Sequence, residues 1–267
     1  MGMSMAEKVK LEEVFKLSGV PSYTFVEPVE FGRLVVALRT PGRGVVIEGP
    51  SGIGKTTAVT KALAELPGGD QALRLTARRA GDREVIEALP EMQAAGFVVI
   101  DDFHRLEDSI RSAIADYLKL LADEEDVTTK IVILGINRAG ESLVNFARDL
   151  SGRLDVIRFE SNPDERVQQL VREGANALNI ILPEKEIAGA ATGSFHLAQL
   201  LCHEACVASG FDREQPVQAS LSLPFNVVLE RVVDDLSMNF METAMKFATP
   251  PGLAEKGARR TCIYCVG

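Results

Sequence analysis

The chain has 267 residues, with 29 Lys and Arg against 38 Asp and Glu, which gives a formal net charge of −9. Its 46% hydrophobic and 25% charged residues are typical of a globular protein and exclude intrinsic disorder, collagen and coiled coil. Apolar runs such as 131–136 fall far short of the roughly 20 residues that cross a bilayer. We therefore expect no membrane span and a cytoplasmic location.

Two further observations limit the class of partner. Net acidity argues against a surface that binds nucleic acid as a whole, because that affinity comes mainly from Lys and Arg. Local support for nucleic acid contact is confined to Arg74, Arg78, Arg79 and the tail 256–260. Four cysteines are too few for a disulfide framework, so we treat them as thiols.

The N-terminal part predicts two short helices. Residues 5–18 carry apolar side chains at near-helical spacing and end at Gly19 and Pro21. A second helical pattern covers 28–40 and ends at a Pro-Gly pair. An extended, partly aromatic stretch at 22–26 lies between them.

From residue 44 the chain alternates apolar runs with helical stretches. Runs of Val, Ile and Leu without polar alternation suit strands that are buried on both faces, and intervening helices favour a parallel sheet. We therefore predict a five-stranded parallel α/β sheet with helices on both faces. The strands are placed at 45–47, 73–75, 97–100, 131–134 and 156–159, and the helices at 55–66, 106–122 and 141–150.

After residue 160 the strand signals stop and a helical module follows. Four domains result: an N-terminal helical segment at 1–42, an α/β core at 43–160, a helical lid at 161–215, and a long helix with a tail at 216–267. The helices of the last two parts are placed at 164–178, 183–191, 194–208 and 225–247.

One segment matches the pattern of a phosphate-binding loop. It stands between the first predicted strand and a predicted helix, which is the context that this motif requires. The alternative is a glycine-rich turn that binds nothing. The residues are Gly49, Pro50, Ser51, Gly52, Ile53, Gly54, Lys55 and Thr56, and Thr57 follows.

The chemistry of this loop predicts that the chain binds ATP with Mg²⁺. The glycines let backbone N–H groups surround a phosphate, and the next helix adds its positive N-terminal end. Lys55 is expected to reach the β- and γ-phosphates, while the Thr56 hydroxyl is expected to bind Mg²⁺.

Two carboxylates follow the third predicted strand. Asp101 stands where the strand ends, at the edge of the sheet that binds ligands in open α/β folds, and we expect it to hold Mg²⁺. Asp102 is expected to orient the attacking water, although it is one methylene shorter than the Glu that many ATPases carry there. For both residues the alternative is a cap on the next helix.

Three further segments make the sequence resemble AAA+ and STAND-type ATPases, in the branch of replication-initiation, transposition-regulator and bacterial defence ATPases. The strand 131–136 ends at Asn137, the segment 149–155 contains Arg153, and the segment 191–201 contains His196. The resemblance implies an additional-strand sheet with a helical lid. It also implies a homo-oligomer in the ATP state.

The resemblance assigns roles to these residues. Asn137 corresponds to sensor 1, which contacts the γ-phosphate or the water. Arg153, with Arg148 as the second choice, corresponds to the arginine finger that acts on a neighbouring subunit. His196 stands where most AAA+ proteins have Arg, so the lid contact would depend on pH near neutrality.

Each of these assignments has a plainer alternative. Asn137 can be a loop residue, Arg153 an exposed arginine paired with a neighbouring acid such as Asp149, and His196 a packing residue. Tyr23, Phe25 and Val26 lie where relatives contact adenine, and their plainer role is core packing.

A cysteine pair near the C-terminus is a weaker signal. Cys262 and Cys265 have the spacing of half a zinc site or of a redox pair. Cys202 and Cys206 stand one helical turn apart and would complete four thiolates. The alternative is a tail without such a role.

The residues and the resemblance together leave three functions open. The first is an ATP-dependent switch whose nucleotide state controls self-assembly and binding of a protein partner, as in a regulatory subunit in bacterial defence. The second is a DNA-associated loader or regulator of the replication or transposition type. The third is a nucleotide-binding adaptor with negligible turnover, for which Asp102 and His196 are the evidence.

Overall fold

The structure is a computed structural model that describes residues 8–135, 150 and 152–248. Its helices are α1 Leu11–Val14, α2 Phe31–Arg39, α3 Lys55–Ala64, α4 Ala80–Ala88, α5 Asp108–Asp123, α6 Asp164–Leu178, α7 Glu184–Ala191, α8 Phe195–Ala208 and α9 Phe225–Ala248. Its strands are β1 Gly44–Glu48, β2 Leu73–Thr76, β3 Gly96–Asp101, β4 Thr129–Leu134, β5 Leu154–Arg158, β6 Ile180–Ile181 and β7 Ala219–Ser220.

The main sheet contains five parallel strands in the order β2-β3-β4-β1-β5. β4 lies between β1 and β3, although it follows both in the chain. The predicted parallel α/β sheet is therefore confirmed. Because all strands run the same way, the loops after β1, β3 and β4 emerge at one edge.

Side chains of the central strands alternate between two hydrophobic clusters, one on each face. Val45 and Ile47 pack with α2 and α3, whereas Val46 packs with α5 on the opposite face. This arrangement explains the continuous apolar runs, because both sets of side chains are buried.

The helical module has its own hydrophobic cluster, built from α6, α7 and α8. Leu11, Val14 and Phe15 of the N-terminal segment belong to this cluster, as do Phe225 and Val228 of α9. α2, in contrast, packs on the sheet. The four-part division by sequence stays a prediction, and within its first segment α1 packs on the lid while α2 packs on the sheet.

Two features were not predicted. Helix α4 has one fully buried apolar residue, Ile86, so its hydrophobic pattern is weak. The strands β6 and β7 form a small parallel pair within the helical part, where the sequence indicated no strands.

Within the described ranges, no helix combines the length and apolarity that crossing a membrane requires.

Candidate nucleotide-binding site

A cleft of about 390 Å³ lies between the carboxyl edge of the main sheet and the helical module. The Gly49–Thr56 loop, the first turn of α3, and the ends of β3 and β4 form one wall. The start of α8 and the segment 16–28 form the other. We call this space the central cleft.

The path of the loop depends on two glycines with positive φ. Gly49 has φ 146°, and a Cβ there would lie 2.4 Å from the carbonyl oxygen of Phe159. Gly54 has φ 104° and precedes the first residue of α3. Side chains at these positions would be strained, so glycine is what lets the loop turn back into the helix.

Lys55 lies within the loop itself. Its Nζ donates to the carbonyl oxygens of Gly49 and Pro50, each at 2.6 Å. Burial lowers the pKa of Lys55, and the negative charge of Asp101 opposes that change. The ammonium group therefore stands where it can contact an anion in the loop.

Thr56 and Asp101 both line the central cleft, together with Thr57. Asp101 ends β3, and its Oδ1 accepts from the backbone N–H of Asp102 at 2.7 Å. A hydroxyl and a carboxylate are hard oxygen donors of the kind that Mg²⁺ prefers. The donor set of this cleft thus fits the expected metal.

The Asp102 carboxylate is paired with an arginine side chain. Its backbone is left-handed, with φ 56°, and its carboxylate forms an ion pair with Arg78, the shortest distance being 2.6 Å to Nε. The Thr76 hydroxyl also donates to it, at 3.3 Å. Burial raises the pKa of Asp102, but the hydrogen bond and charge of Arg78, together with the hydrogen bond from Thr76, outweigh burial and lower the pKa overall.

Sequence reasoning missed this role of Arg78 and Thr76. Arg78 was assigned to possible nucleic acid contact, but it lines the central cleft. The signal lies in the strand order, because Thr76 pairs in register with Asp101. Once β2 is placed beside β3, residues that follow β2 are expected near Asp102.

The lid contacts the loop directly. The backbone N–H of His196 donates to the Gly52 carbonyl at 3.0 Å, and the Ser194 hydroxyl donates to the same oxygen at 3.3 Å. Asn162, which is buried, donates to the Ile53 carbonyl at 3.3 Å and to the Gly193 carbonyl at 2.9 Å. The structure thus places His196 beside the loop, and Asn162 is a further contact that the sequence did not indicate.

The far end of the central cleft is more apolar. Phe25 and Val26 line it, whereas Tyr23 is 42% exposed and is not among the lining residues. Phe25 packs edge to face on Phe31, with 5.8 Å between ring centroids. Of the adenine candidates, the structure therefore brings Phe25 and Val26 into the cleft and leaves Tyr23 outside it.

Ile53 and Pro50 contribute to the loop in other ways. Ile53 is 3% exposed and packs in the cluster beneath the loop. Pro50 contributes the carbonyl that Lys55 contacts. Their side chains are therefore not placed in the central cleft.

Arg153 lies at the opposite edge of the sheet. Its carbonyl accepts from Gly44 at the start of β1, so the five residues of β1, about 16 Å, separate it from the loop. Its guanidinium pairs with Asp123 at 2.7 Å. An action of Arg153 on a bound phosphate would therefore have to occur in another copy of the chain.

Several predicted residues lie outside the described residues, among them Asn137, Arg148 and Asp149. Leu134 and Gly135, which precede Asn137, line the central cleft. Cys262 and Cys265 are likewise outside. Cys202 and Cys206 are buried in α8, and burial raises the pKa of Cys206 to about 12.

By sequence, the chain matches no protein-family model and no curated protein. By structure, it is similar to the Aeropyrum pernix ORC2 protein in ADPNP and ADP complexes, with a TM-score of 0.60 and 14% identity over 85% of this chain and 72% of that one. A. pernix ORC1 in complex with DNA gives 0.58 and 15%, over 86% and 71%.

A RuvB variant of Thermotoga maritima gives a TM-score of 0.54 and 16% identity, over 77% of this chain and 68% of that one. These proteins are AAA+ P-loop ATPases. At such low identity the similarity establishes the fold. This chain has the fold of the AAA+ P-loop ATPases.

Proposed function

We propose that this chain binds ATP with Mg²⁺ in the central cleft, hydrolyses it slowly, and uses its nucleotide state to control self-assembly and binding of a protein partner. The observation that carries the proposal is the convergence of the Gly49–Thr56 loop, Lys55 and Asp101 at one edge of the sheet. The ADPNP and ADP complexes of ORC2 support the choice of an adenine nucleotide.

In the proposed binding step, both walls of the cleft contact the nucleotide. Backbone N–H groups of the loop and the N-terminal end of α3 would surround the phosphates, with Lys55 donating to the β- and γ-phosphates. Thr56 and Asp101 would hold Mg²⁺, which neutralises phosphate charge when bound. Phe25 and Val26 would pack against the base.

The hydrolysis step depends on Asp102. A carboxylate beside the γ-phosphate can orient a water and accept its proton, but Arg78 and Thr76 hold the Asp102 carboxylate. We therefore propose that Asp102 must leave Arg78 before it can act. This requirement accounts for slow turnover.

The lid would link the nucleotide to assembly. His196 and Ser194 donate to the Gly52 carbonyl. A movement of the loop on phosphate binding would therefore shift the start of α8. We propose that this movement presents the surface on which another copy docks, with its Arg153 directed at the phosphate.

A nucleotide-binding adaptor with negligible turnover is the second candidate. The Arg78–Asp102 ion pair favours it, because a carboxylate that stayed in this pair would not reach a water. DNA loading has weaker support among the described residues, since Arg78 is engaged by Asp102 and Arg74 donates to Thr60.

Calorimetric titration of the chain with Mg-ATP tests the binding step. We expect Lys55→Ala to weaken binding by at least about tenfold, because charged hydrogen bonds to phosphate are lost. The matched control is Lys119→Ala, which removes a lysine that pairs with Asp116 on α5 and should leave the affinity unchanged. Equal affinities of wild type and Lys55→Ala would overturn the proposal.

A further inference from the structure

A buried amide lies at the apolar end of the central cleft. Gln199 is on α8 and is 5% exposed, yet it lines the cleft together with Thr24, Val26 and Leu170. It stands three residues after His196, about 4.5 Å further along the helix and on the same side. Gln199 therefore lies one turn away from the phosphate loop.

Hydrogen bonds fix the orientation of this amide. The Thr24 hydroxyl donates its proton to the Val14 carbonyl at 3.0 Å, so the Thr24 oxygen is left as an acceptor. The Nε2 group of Gln199 donates to that oxygen at 2.6 Å. Oε1 must therefore be the free end of the amide.

Gln199 Oε1 has no hydrogen-bond partner in the part of the chain that the structure describes, and it exposes less than 1 Å². A buried carbonyl oxygen without a donor is costly, and native proteins usually supply one. The oxygen thus indicates a ligand that brings a hydrogen-bond donor into the apolar end of the cleft.

We propose that Gln199 Oε1 accepts a hydrogen bond from the 6-amino group of adenine and so determines the base specificity of the site. The inference rests on the proposed function. A base that lies between Val26 and Leu170 would present its exocyclic group to the amide. A 6-oxo purine presents an acceptor at that position, and two acceptors cannot pair.

Three triphosphates whose purines differ at position 6, and in inosine also by a proton on N1, test this proposal. Calorimetry with ATP, inosine triphosphate and purine riboside triphosphate varies the donor while the phosphates stay constant. We expect wild type to bind ATP about tenfold more tightly than either analogue, the factor that one well-placed hydrogen bond supplies.

Gln199→Met keeps the size of the side chain and removes the acceptor. We expect ATP to bind this variant as weakly as purine riboside triphosphate binds wild type, and the affinity for purine riboside triphosphate to stay unchanged. Gln169→Met is the matched control, because Gln169 is on α6 and donates to Glu173 outside the cleft. Thr24→Val removes the group that positions the amide and should reduce the preference for ATP.

The outcomes separate this proposal from the proposed function. Equal wild-type affinities for the three triphosphates overturn the role of Gln199 while nucleotide binding stands. Failure of wild type to bind any triphosphate overturns both. An equal loss of all three affinities in Gln199→Met would assign the residue a packing role only.

Discussion

Asp102 and Arg78 form the contact that bears most directly on turnover. The carboxylate is largely buried and the guanidinium largely exposed, with side-chain exposures of 9% and 65%. An exposed arginine loses little when its partner leaves, because water solvates it. The largely buried Asp102 carboxylate, in contrast, loses a charged partner on release, which is why the pair would slow turnover.

Removal of Arg78 tests this account of turnover. In Arg78→Ala the carboxylate keeps the Thr76 hydroxyl but loses its charged partner, and we expect steady-state ATP hydrolysis to rise several-fold, measured by phosphate release. Arg79→Ala, which changes the exposed neighbouring arginine, should have no effect. A fall in the turnover of Arg78→Ala would show instead that Arg78 assists the reaction.

At the scale of elements, the contact between the lid and the loop depends on Asn162. It joins the Ile53 carbonyl of the loop to the Gly193 carbonyl before α8. Removal of the amide would take a buried donor from the Ile53 carbonyl, whereas the Gly193 carbonyl would keep the backbone N–H of residue 162, which donates to it at 3.1 Å. The contact is therefore a specific attachment of the lid to the loop.

Asn162→Ala should loosen this attachment. We expect the free energy of unfolding to fall by about 1–3 kcal/mol, the cost of the buried donor that the Ile53 carbonyl loses. Amide hydrogen exchange at residues 193–197 should also accelerate. Asn226→Ala, at an exposed position of α9, is the control. Unchanged exchange in Asn162→Ala would contradict the attachment.

Lys130 of β4 stabilises the end of α2. It is 7% exposed, and its Nζ donates to the carbonyls of Ala37 at 3.2 Å and Arg43 at 2.7 Å, as well as to the Thr40 carbonyl. Burial lowers the pKa of Lys130 to about 8, although the charge of Asp155 opposes the shift.

This lowered pKa predicts how stability depends on pH. Between about pH 8 and the ordinary pKa of 10.5, the unfolded chain retains a proton that the folded chain has lost, so rising pH favours folding. In denaturant titrations from pH 7 to 10, the free energy of unfolding of wild type minus that of Lys130→Met should increase as the pH rises. A constant difference would contradict the assignment.

The elements differ in how well the sequence predicts them. Helix α6 matches the predicted 164–178 because Pro163 precedes it and a regular apolar stripe follows. Helix α4 was missed because its only fully buried residue is Ile86. The ion pair between Arg78 and Asp102 joins residues that follow two different strands, so no local pattern indicates it.

At the scale of the whole molecule, α1 and the start of α9 pack on the lid. Val14 and Phe15 of the N-terminal segment and Val228 of α9 belong to the lid cluster. A displacement of α8 would therefore move α1 and the first turns of α9 with it. Nucleotide-dependent changes at the loop would thereby reach surfaces far from the cleft.

The two groups that the proposed assembly contact would bring together lie at opposite edges of the main sheet. The loop lies at the carboxyl edge, and Arg153 lies at the opposite edge beside the start of β1. Head-to-tail packing of copies would place the Arg153 of one copy against the cleft of the next, and the resulting interface would be heterologous. A complete active site would then require two copies.

Light scattering in solution tests the central claim most directly. Mass would be measured with Mg-ATP, with Mg-ADP and without nucleotide, for wild type, Lys55→Ala, Arg153→Ala and the control Arg172→Ala, which removes an exposed lid arginine paired with Glu184. The account predicts a mass of several chains only with Mg-ATP, for wild type and Arg172→Ala. The mass of a single chain for wild type under all three conditions would contradict it.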